Sequence, residues 1–229
     1  HVGTLGAVVV VFRREIASLI LEFLSLPRTI GSTGSLVSAW RNRPHFRMLV
    51  LIVTGSIPTA LIGFFFKDLF ESLFASITAV GLALLFTGLF LFLTRFKPPA
   101  GRDILKFRTS DALLVGLAQG LAITPGVSRS GFTMSVGLFL GLDREISARY
   151  SFLLSIPAIL GALALELRHV ESGALGLAEM GTGLAAAFLS GWLTLIFLLR
   201  LVKRGRLHYF SYYCWLIGLA ALTLSLVTG

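Results

Sequence analysis

Cysteine is almost absent from this chain, which carries a single one, Cys214, inside an apolar stretch. One cysteine excludes a disulfide framework and a cysteine-ligated metal cluster within the chain. Charged residues are also scarce, at 14% of the chain, whereas soluble domains carry about 25%. With 55% hydrophobic residues and a mean hydropathy of +0.88, the composition excludes an ordinary soluble domain and indicates an integral membrane protein with several spans.

Acidic residues are the rarer of the two charged kinds, 11 against 20 basic residues, and the formal net charge is +9. In a soluble protein this excess would raise the question of nucleic acid binding. Here the lysines and arginines lie in segments between apolar runs. An excess of basic residues in such segments is typical of the cytoplasmic loops of membrane proteins. We therefore expect the chain to have a membrane as its partner and no nucleic acid.

The chain also lacks an initiator methionine and the basic segment with which a signal peptide starts. Its first residues, HVGTL, belong to an apolar run that is already under way. We therefore expect the natural beginning of the protein to lie upstream of His1.

Six apolar runs divide the chain. A helix needs about 20 residues to cross the hydrocarbon core, and every run except the short first one approaches that length. The sequence therefore predicts an all-α, polytopic membrane protein with about six transmembrane helices. The runs fall near residues 1–12, 48–66, 75–94, 147–165, 179–199 and 208–227.

The loops between these runs alternate between basic and mixed charge. Loops 13–47, 95–110 and 200–207 are basic, so we predict that they are cytoplasmic. Loops 67–74 and 166–178 carry acidic residues beside their basic ones, so we predict that they lie on the outer side.

Between the third and fourth runs lie two apolar stretches that are too short to span a membrane. Residues 112–123 and 132–142 flank the polar turn 124–131 (TPGVSRSG), and each holds about half of the residues that a span needs. The loop alternation requires the segment 111–146 to leave the cytoplasmic side and return to it. A re-entrant hairpin and two full spans both satisfy this requirement, and the lengths favour a re-entrant helix pair over residues 111–142.

The predicted order is three spans, a hairpin and three spans, and the two triplets cross the membrane in opposite directions. This is the plan of an inverted repeat, in which the functional site lies near the midplane at the repeat interface. We expect a single membrane domain over residues 1–229, in which 1–110 is the remnant of a first repeat and 111–229 is the second. The plan also predicts another hairpin upstream of His1.

The polar turn places Arg129 at membrane depth, at the start of a half-helix. A charged residue at this depth is costly and indicates a functional site. A helix N-terminus offers free N–H donors and the positive end of the helix dipole, and a guanidinium binds two oxygens at once. We predict that Arg129 binds a phosphate group with Ser128 and Ser130. The alternative is an arginine in a cytoplasmic loop, or one whose side chain extends to the membrane surface. The two serines also suit caps of a half-helix that begins near Gly131.

Four further residues around the turn are candidates for substrate binding. Gly126 and Gly131 permit a close approach to the backbone. We expect Thr133 to bind substrate, with a packing hydrogen bond one helical turn away as the alternative. Gln119 faces the break between the half-helices, where it either orients a ligand or is a buried amide bonded to the backbone.

These residues resemble the undecaprenyl-diphosphate phosphatase family, the bacitracin-resistance membrane phosphatases. The resemblance is carried by GLAQG at 116–120, PGVSRSG at 125–131 and TMS at 133–135. It extends to FLLSIP at 152–157 and to residues 2–15, so it covers nearly the whole chain in order.

The resemblance implies hydrolysis of undecaprenyl diphosphate to undecaprenyl phosphate and phosphate, which recycles the lipid carrier for peptidoglycan and other envelope polymers. It implies a polyprenyl diphosphate substrate held by Arg129, Ser128 and Ser130, with Arg129 and Ser128 as the catalytic residues. The site would open to the outer side of the bacterial plasma membrane. A homodimer is compatible with this interpretation.

The resemblance also implies a divalent cation, Mg²⁺ or Ca²⁺, held by glutamates of an N-terminal signature that further supplies a serine and a histidine. That signature would lie upstream of His1, so we expect this chain to lack the metal ligands and to be inactive alone. Segments 21–24 (LEFL) and 31–34 (GSTG) resemble the signature superficially. They follow the first span, lie in an arginine-bearing loop and lack the closing histidine.

A transporter or flippase of lipid phosphates is the alternative function, because inverted repeats with broken helices are also a transporter plan. Such a protein would bind lipid phosphate without releasing inorganic phosphate. The membrane acid phosphatases are a third interpretation without support. Their pattern needs a histidine a few residues after the Ser-Arg pair, and none occurs before His169.

Overall fold

The computed structural model describes residues 2–33, 36–98, 101–166 and 177–228, and every regular element in these residues is a helix. This confirms the all-α prediction. Two short 3₁₀ turns, Thr94–Phe96 and Ile104–Lys106, lie between the sixth and the seventh α-helix. The helices are α1 (Val2–Val11), α2 (Arg13–Thr33), α3 (Leu36–Asn42), α4 (Pro44–Phe65), α5 (Lys67–Phe74), α6 (Ile77–Leu93), α7 (Thr109–Leu121), α8 (Arg129–Phe139), α9 (Arg144–Glu166), α10 (Leu177–Lys203) and α11 (Tyr209–Thr228).

Five helices of the described residues are long and apolar enough to cross a membrane. They carry large apolar side chains on their outer faces, such as Phe64, Leu193 and Leu216, which suits contact with lipid. The sixth predicted span, α1, is apolar and has 10 residues. The polytopic prediction is confirmed, with five of about six predicted spans at full length. The five spans are Pro44–Phe65, Ile77–Phe96, Arg144–Leu165, Met180–Lys203 and Tyr209–Val227.

The two short apolar stretches form a helical hairpin, as predicted. Helix α7 has 13 residues and α8 has 11, and residues 122–128 join them. The two ends of the hairpin are held together at its base. The Arg102 N–H donates to the Gly141 carbonyl (2.8 Å), the Asp143 N–H donates to the Arg102 carbonyl (3.0 Å), and the Arg102 guanidinium lies 3.0 Å from Asp111. The chain therefore leaves the hairpin next to the point where it enters, as a re-entrant pair requires, and its placement part-way into the membrane stays a prediction.

Small residues let α7 pack closely against the full span α4. A Cβ on Gly116 would lie 2.1 Å from the Gly55 carbonyl oxygen, so the two backbones are in contact at this point. The Thr59 hydroxyl donates to the Gly116 carbonyl (2.9 Å) across the same interface. Gly55 and Thr59, like Gly116 and Gly120, are four residues apart, the spacing that places small side chains on one helix face. The main apolar core lies beside this contact, among α1, α4, α7 and α9.

The long helices pack in pairs that agree with an inverted repeat. Helix α1 packs on α10, α4 packs on α9, and α6 packs on α11. In an inverted repeat α1 corresponds to α9, α4 to α10 and α6 to α11. When each helix is replaced by its counterpart, the same three packed pairs are obtained. The division into repeats at residue 110 stays a prediction.

Two segments that we predicted as loops are mostly helical. Residues 13–47 contain α2, α3 and the first turn of α4, and residues 67–74 form α5. Both segments mix charged and apolar residues, so they lack the long apolar run that identifies a span, although their apolar residues still recur at helical spacing. In α5, for example, Phe70 is buried, and Lys67 and Glu71 form an ion pair one turn apart (3.5 Å).

Candidate functional site

Ser128 starts the second half-helix of the hairpin. Its backbone is extended (φ −70°, ψ 107°), and its hydroxyl oxygen accepts a hydrogen bond from the Gly131 N–H (3.2 Å). This is the geometry of an N-cap, in which one of the unpaired N–H groups of a helix start is satisfied. The capping alternative for Ser128 is therefore confirmed, and the helix begins at Arg129, two residues before the predicted position.

The cap leaves two backbone donors free at the start of α8. Neither the Arg129 N–H nor the Ser130 N–H has an acceptor among the described residues. The Ser130 hydroxyl has no partner in that part of the chain either. Free N–H groups at the positive end of a helix dipole form an anion-binding site, because they direct hydrogen bonds and partial positive charge at the same point.

Arg129 adds a full positive charge to these donors. The side chain is partly buried, and its guanidinium forms no hydrogen bond or ion pair with any described residue. The other buried arginine, Arg47, is only 8% exposed and donates to the Phe107 carbonyl (3.0 and 2.8 Å) and the Trp40 carbonyl (3.3 Å). Each of the three side-chain nitrogens of Arg47 thus donates to a protein carbonyl, whereas all five N–H donors of Arg129 remain available for a ligand.

Thr87 of α6 holds the turn that leads into α8. Its hydroxyl oxygen accepts a hydrogen bond from the Ser128 N–H (3.2 Å) and lies 3.4 Å from the Gly126 carbonyl oxygen, to which it donates. Sequence reasoning missed this residue, because it lies in an apolar run that we interpreted only as a span. The available signal was a hydroxyl residue in the middle of that run.

Gly126 allows the turn to form against the backbone of α6, and Gly131 leaves space for the Ser128 hydroxyl. Gly126 has a φ of +89°, and a Cβ there would lie 2.5 Å from the Val80 carbonyl oxygen of α6. A Cβ on Gly131 would lie 2.8 Å from the Ser128 hydroxyl oxygen. Gly126 is therefore explained by its backbone conformation and Gly131 by the lack of space for a side chain, and their approach to a ligand stays a prediction.

Thr133 and Gln119 are buried against other helices, each with 1% exposure. The Thr133 hydroxyl donates to the Arg129 carbonyl (2.7 Å) and lies 2.5 Å from the Ser151 hydroxyl of α9. The Gln119 amide nitrogen donates to the Leu154 carbonyl (3.2 Å) and to Thr59 (3.4 Å). These bonds match the packing alternative for both residues, and their direct contact with substrate stays a prediction.

The described residues around the turn do not fit a metal site. No group of three or more histidine, cysteine, aspartate or glutamate side chains in the described chain is arranged to hold a metal ion. At the hairpin base, Asp111 pairs with Arg102, and Asp143 caps α9 by accepting from the Glu145 N–H (2.8 Å). The Mg²⁺ or Ca²⁺ implied by the resemblance stays a prediction.

Of the two segments that superficially resemble the N-terminal signature, 21–24 contains Glu22, whose described contact is with Arg43 and not with the turn. Glu22 forms an ion pair with Arg43 (3.2 Å), within the region between α2 and α4. The side chains of residues 31–34 lie outside the described part of the structure, as do His169 and Glu171. Glu22 therefore has a structural partner of its own.

Comparison with known proteins identifies the family. The family model for bacitracin resistance protein BacA matches residues 1–220. A protein of Desulforapulum autotrophicum named undecaprenyl-diphosphatase is 43% identical over 225 residues, which are 97% of this chain and 81% of that protein. A protein of the same name from Methanothermobacter thermautotrophicus is 48% identical over 182 residues, which are 77% of this chain and 100% of that protein. Another from Carboxydothermus hydrogenoformans is 41% identical over 229 residues, which are 98% of this chain and 80% of that protein. The family resemblance carried by the PGVSRSG turn is confirmed: the chain belongs to the bacitracin resistance protein BacA family.

Proposed function

We propose that this protein hydrolyses undecaprenyl diphosphate to undecaprenyl phosphate and inorganic phosphate. The proposal rests on one observation: at the start of α8, the Arg129 guanidinium and two backbone N–H donors all have no partner among the described residues. Relatives that match most of this chain are named undecaprenyl-diphosphatase. The diphosphate group of such a lipid carries several negative charges and binds to a positively charged site, whereas the prenyl chain of the lipid stays in the bilayer.

Hydrolysis of a diphosphate requires the protein to stabilise negative charge during phosphoryl transfer. The oxygen of a water adds to the terminal phosphorus, and the bond from that phosphorus to the bridging oxygen breaks. The electron pair of that bond leaves with undecaprenyl phosphate, and the protons of the water leave with the inorganic phosphate. In such transition states charge is spread over the peripheral and leaving oxygens, so positioned donors contribute more than covalent chemistry does. Arg129 binds two of these oxygens, and the N–H groups of Arg129 and Ser130 bind from the helix side.

Ser128 and Ser130 complete the group of donors. The Ser128 oxygen accepts from the Gly131 N–H, so its own hydroxyl proton is left for a phosphate oxygen. Ser130 offers a second hydroxyl at the same helix end. In this proposal Arg129 and Ser128 act on the reacting phosphate, and Ser130 binds the substrate.

The expected product stoichiometry separates a phosphatase from a lipid transporter. Full-length protein in detergent should release one inorganic phosphate for each polyprenyl monophosphate formed from polyprenyl diphosphate, measured by colorimetry and mass spectrometry. The transporter alternative is not favoured, because the relatives carry an enzyme name. Saturable binding of the lipid diphosphate without any phosphate release would contradict the proposed hydrolysis.

We further propose that the protein lies in the bacterial plasma membrane, with the site open to the outer side, where it recycles the lipid carrier for cell-wall synthesis. The basic segments support this orientation, because they are typical of cytoplasmic loops. Formation of a homodimer stays a prediction.

The orientation predicts opposite labelling at two exposed positions. In a Cys214→Ser background, Ser72→Cys in α5 should react with a membrane-impermeant maleimide in intact cells. Arg204→Cys, after α10, should react only after the membrane is opened. Both positions are exposed and lie on loops of opposite predicted sides. Labelling of Arg204→Cys, but not of Ser72→Cys, in intact cells would reverse the proposed topology.

A further inference from the structure

We propose that Thr87 of α6 is a positioning residue for the phosphate-binding turn, an inference that rests on the proposed function. Its hydroxyl fixes the backbone at Gly126 and Ser128, and it thereby directs the free donors of Arg129 and Ser130 at the substrate. Thr87 itself does not touch the substrate in this proposal, because it is completely buried, with 0% exposure.

Both hydrogen bonds of the Thr87 hydroxyl go to the turn, and neither goes to its own helix. A threonine inside a helix commonly donates to a carbonyl three or four residues earlier in its own helix. Thr54 does so to Val50 (2.8 Å), and Thr94 does so to Leu91 (2.6 Å). Thr87 instead donates across to Gly126, 39 residues later in the chain, and accepts from Ser128. The hydroxyl is therefore directed at the turn rather than at its own helix.

The accepted bond determines which donors remain free. The Ser128 N–H is directed at Thr87, and the Gly131 N–H is directed at the Ser128 hydroxyl. The N–H groups of Arg129 and Ser130, which lie between these two, are the ones without a protein acceptor. Thr87 thus anchors one side of the free donor pair, and the Ser128 cap anchors the other.

Helix α6 also approaches the turn too closely for the turn to shift freely. A Cβ on Gly126 would lie 2.5 Å from the Val80 carbonyl and 3.0 Å from the Ala83 side chain, both on α6. A buried N–H without an acceptor costs folding free energy. Loss of the Thr87 hydroxyl should therefore favour a backbone conformation in which the Ser128 N–H bonds to another acceptor. Because α6 blocks a shift of the turn at Gly126, the backbone would instead rotate at Ser128, and Arg129 would move with it.

The test compares Thr87→Val, Thr87→Ala and Thr87→Ser in the full-length protein. We expect Thr87→Val and Thr87→Ala to lower kcat/KM for polyprenyl diphosphate by about 10- to 100-fold, mainly through kcat, as expected for a misplaced catalytic group. Binding of a non-hydrolysable prenyl bisphosphonate should weaken by about tenfold, the effect of one lost or misplaced hydrogen bond in a buried site. Thr87→Ser keeps the hydroxyl, so it should restore both quantities to within about threefold.

Thr94→Val is the matched control, because it removes a buried hydroxyl that lies directly after α6 and bonds only to the Leu91 carbonyl of that helix. It should alter the melting temperature as much as Thr87→Val does, without the change in kcat or in bisphosphonate binding. The proposal is overturned if Thr87→Ser loses as much as Thr87→Ala, if all three variants match the wild type, or if both hydroxyl-free variants fail to fold. The last outcome would assign the hydroxyl to folding.

Arg129→Ala, measured beside these variants, separates the two proposals. Loss of bisphosphonate binding in Arg129→Ala with normal binding in Thr87→Val would overturn only the role of Thr87. Normal binding and hydrolysis in Arg129→Ala would overturn the proposed site itself, whatever the Thr87 variants show.

Discussion

Replacement of Arg129 by lysine should abolish most of the diphosphatase activity, and replacement by alanine should cost at least as much. A lysine ammonium is a point charge that cannot bind two phosphate oxygens in the planar geometry of a guanidinium. The loss should be about 2–4 kcal/mol of transition-state stabilisation, by analogy with removal of one donor from an oxyanion hole. The measurement is kcat/KM for polyprenyl diphosphate in the full-length protein.

Arg95→Lys is the control for this pair of variants, because Arg95 is exposed and lies after α6 in a predicted cytoplasmic loop. It should retain normal activity, since a change from arginine to lysine at the surface removes no ligand contact. Near-normal phosphate release by both Arg129 variants would show that Arg129 has a structural role instead.

Gly116→Ala should destabilise the protein by about 1–3 kcal/mol or more, the usual cost of overpacking a tight interface. The added Cβ would lie 2.1 Å from the Gly55 carbonyl oxygen and 2.8 Å from the Gly55 carbonyl carbon. Because these are backbone atoms of α4, no side chain can rotate away, and α7 must separate from α4. The measurement is the melting temperature in detergent, together with the activity of the fraction that remains folded.

Gly161→Ala in α9 is the matched control for the change at Gly116. Nothing lies within 4 Å of a Cβ at Gly161, so this alanine should be neutral or slightly stabilising, since alanine favours a helix more than glycine does. Equal melting temperatures for the two variants would contradict the close contact between α4 and α7.

The spans and the hairpin could be predicted from the sequence, because both depend on local properties. Hydropathy and length decide where a helix can cross the bilayer, and the half-length runs around TPGVSRSG decide where it cannot. The cap at Ser128 could be predicted for the same reason, since it involves residues three positions apart. Five full spans, α7 and α8 follow the predicted runs closely.

The contacts between distant segments could not be predicted in this way. The bond from Ser128 to Thr87 joins residues 41 apart, and its existence depends on how α6 packs against the hairpin. The burial of Thr133 and Gln119 likewise depends on α9 and α4. Helix α2 was missed for another reason: it mixes arginine and glutamate with its apolar residues, so a search for apolar runs excludes it.

The most direct test of the proposed site is a structure of the full-length protein with a non-hydrolysable polyprenyl bisphosphonate. We expect a phosphonate oxygen within about 2.7–3.2 Å of the Arg129 guanidinium and of the Ser130 N–H, the range of charge-assisted hydrogen bonds. The prenyl chain should extend from the turn into the bilayer. A bisphosphonate bound at another place, with Arg129 and the start of α8 left without contact to it, would contradict the phosphate-binding role of this turn.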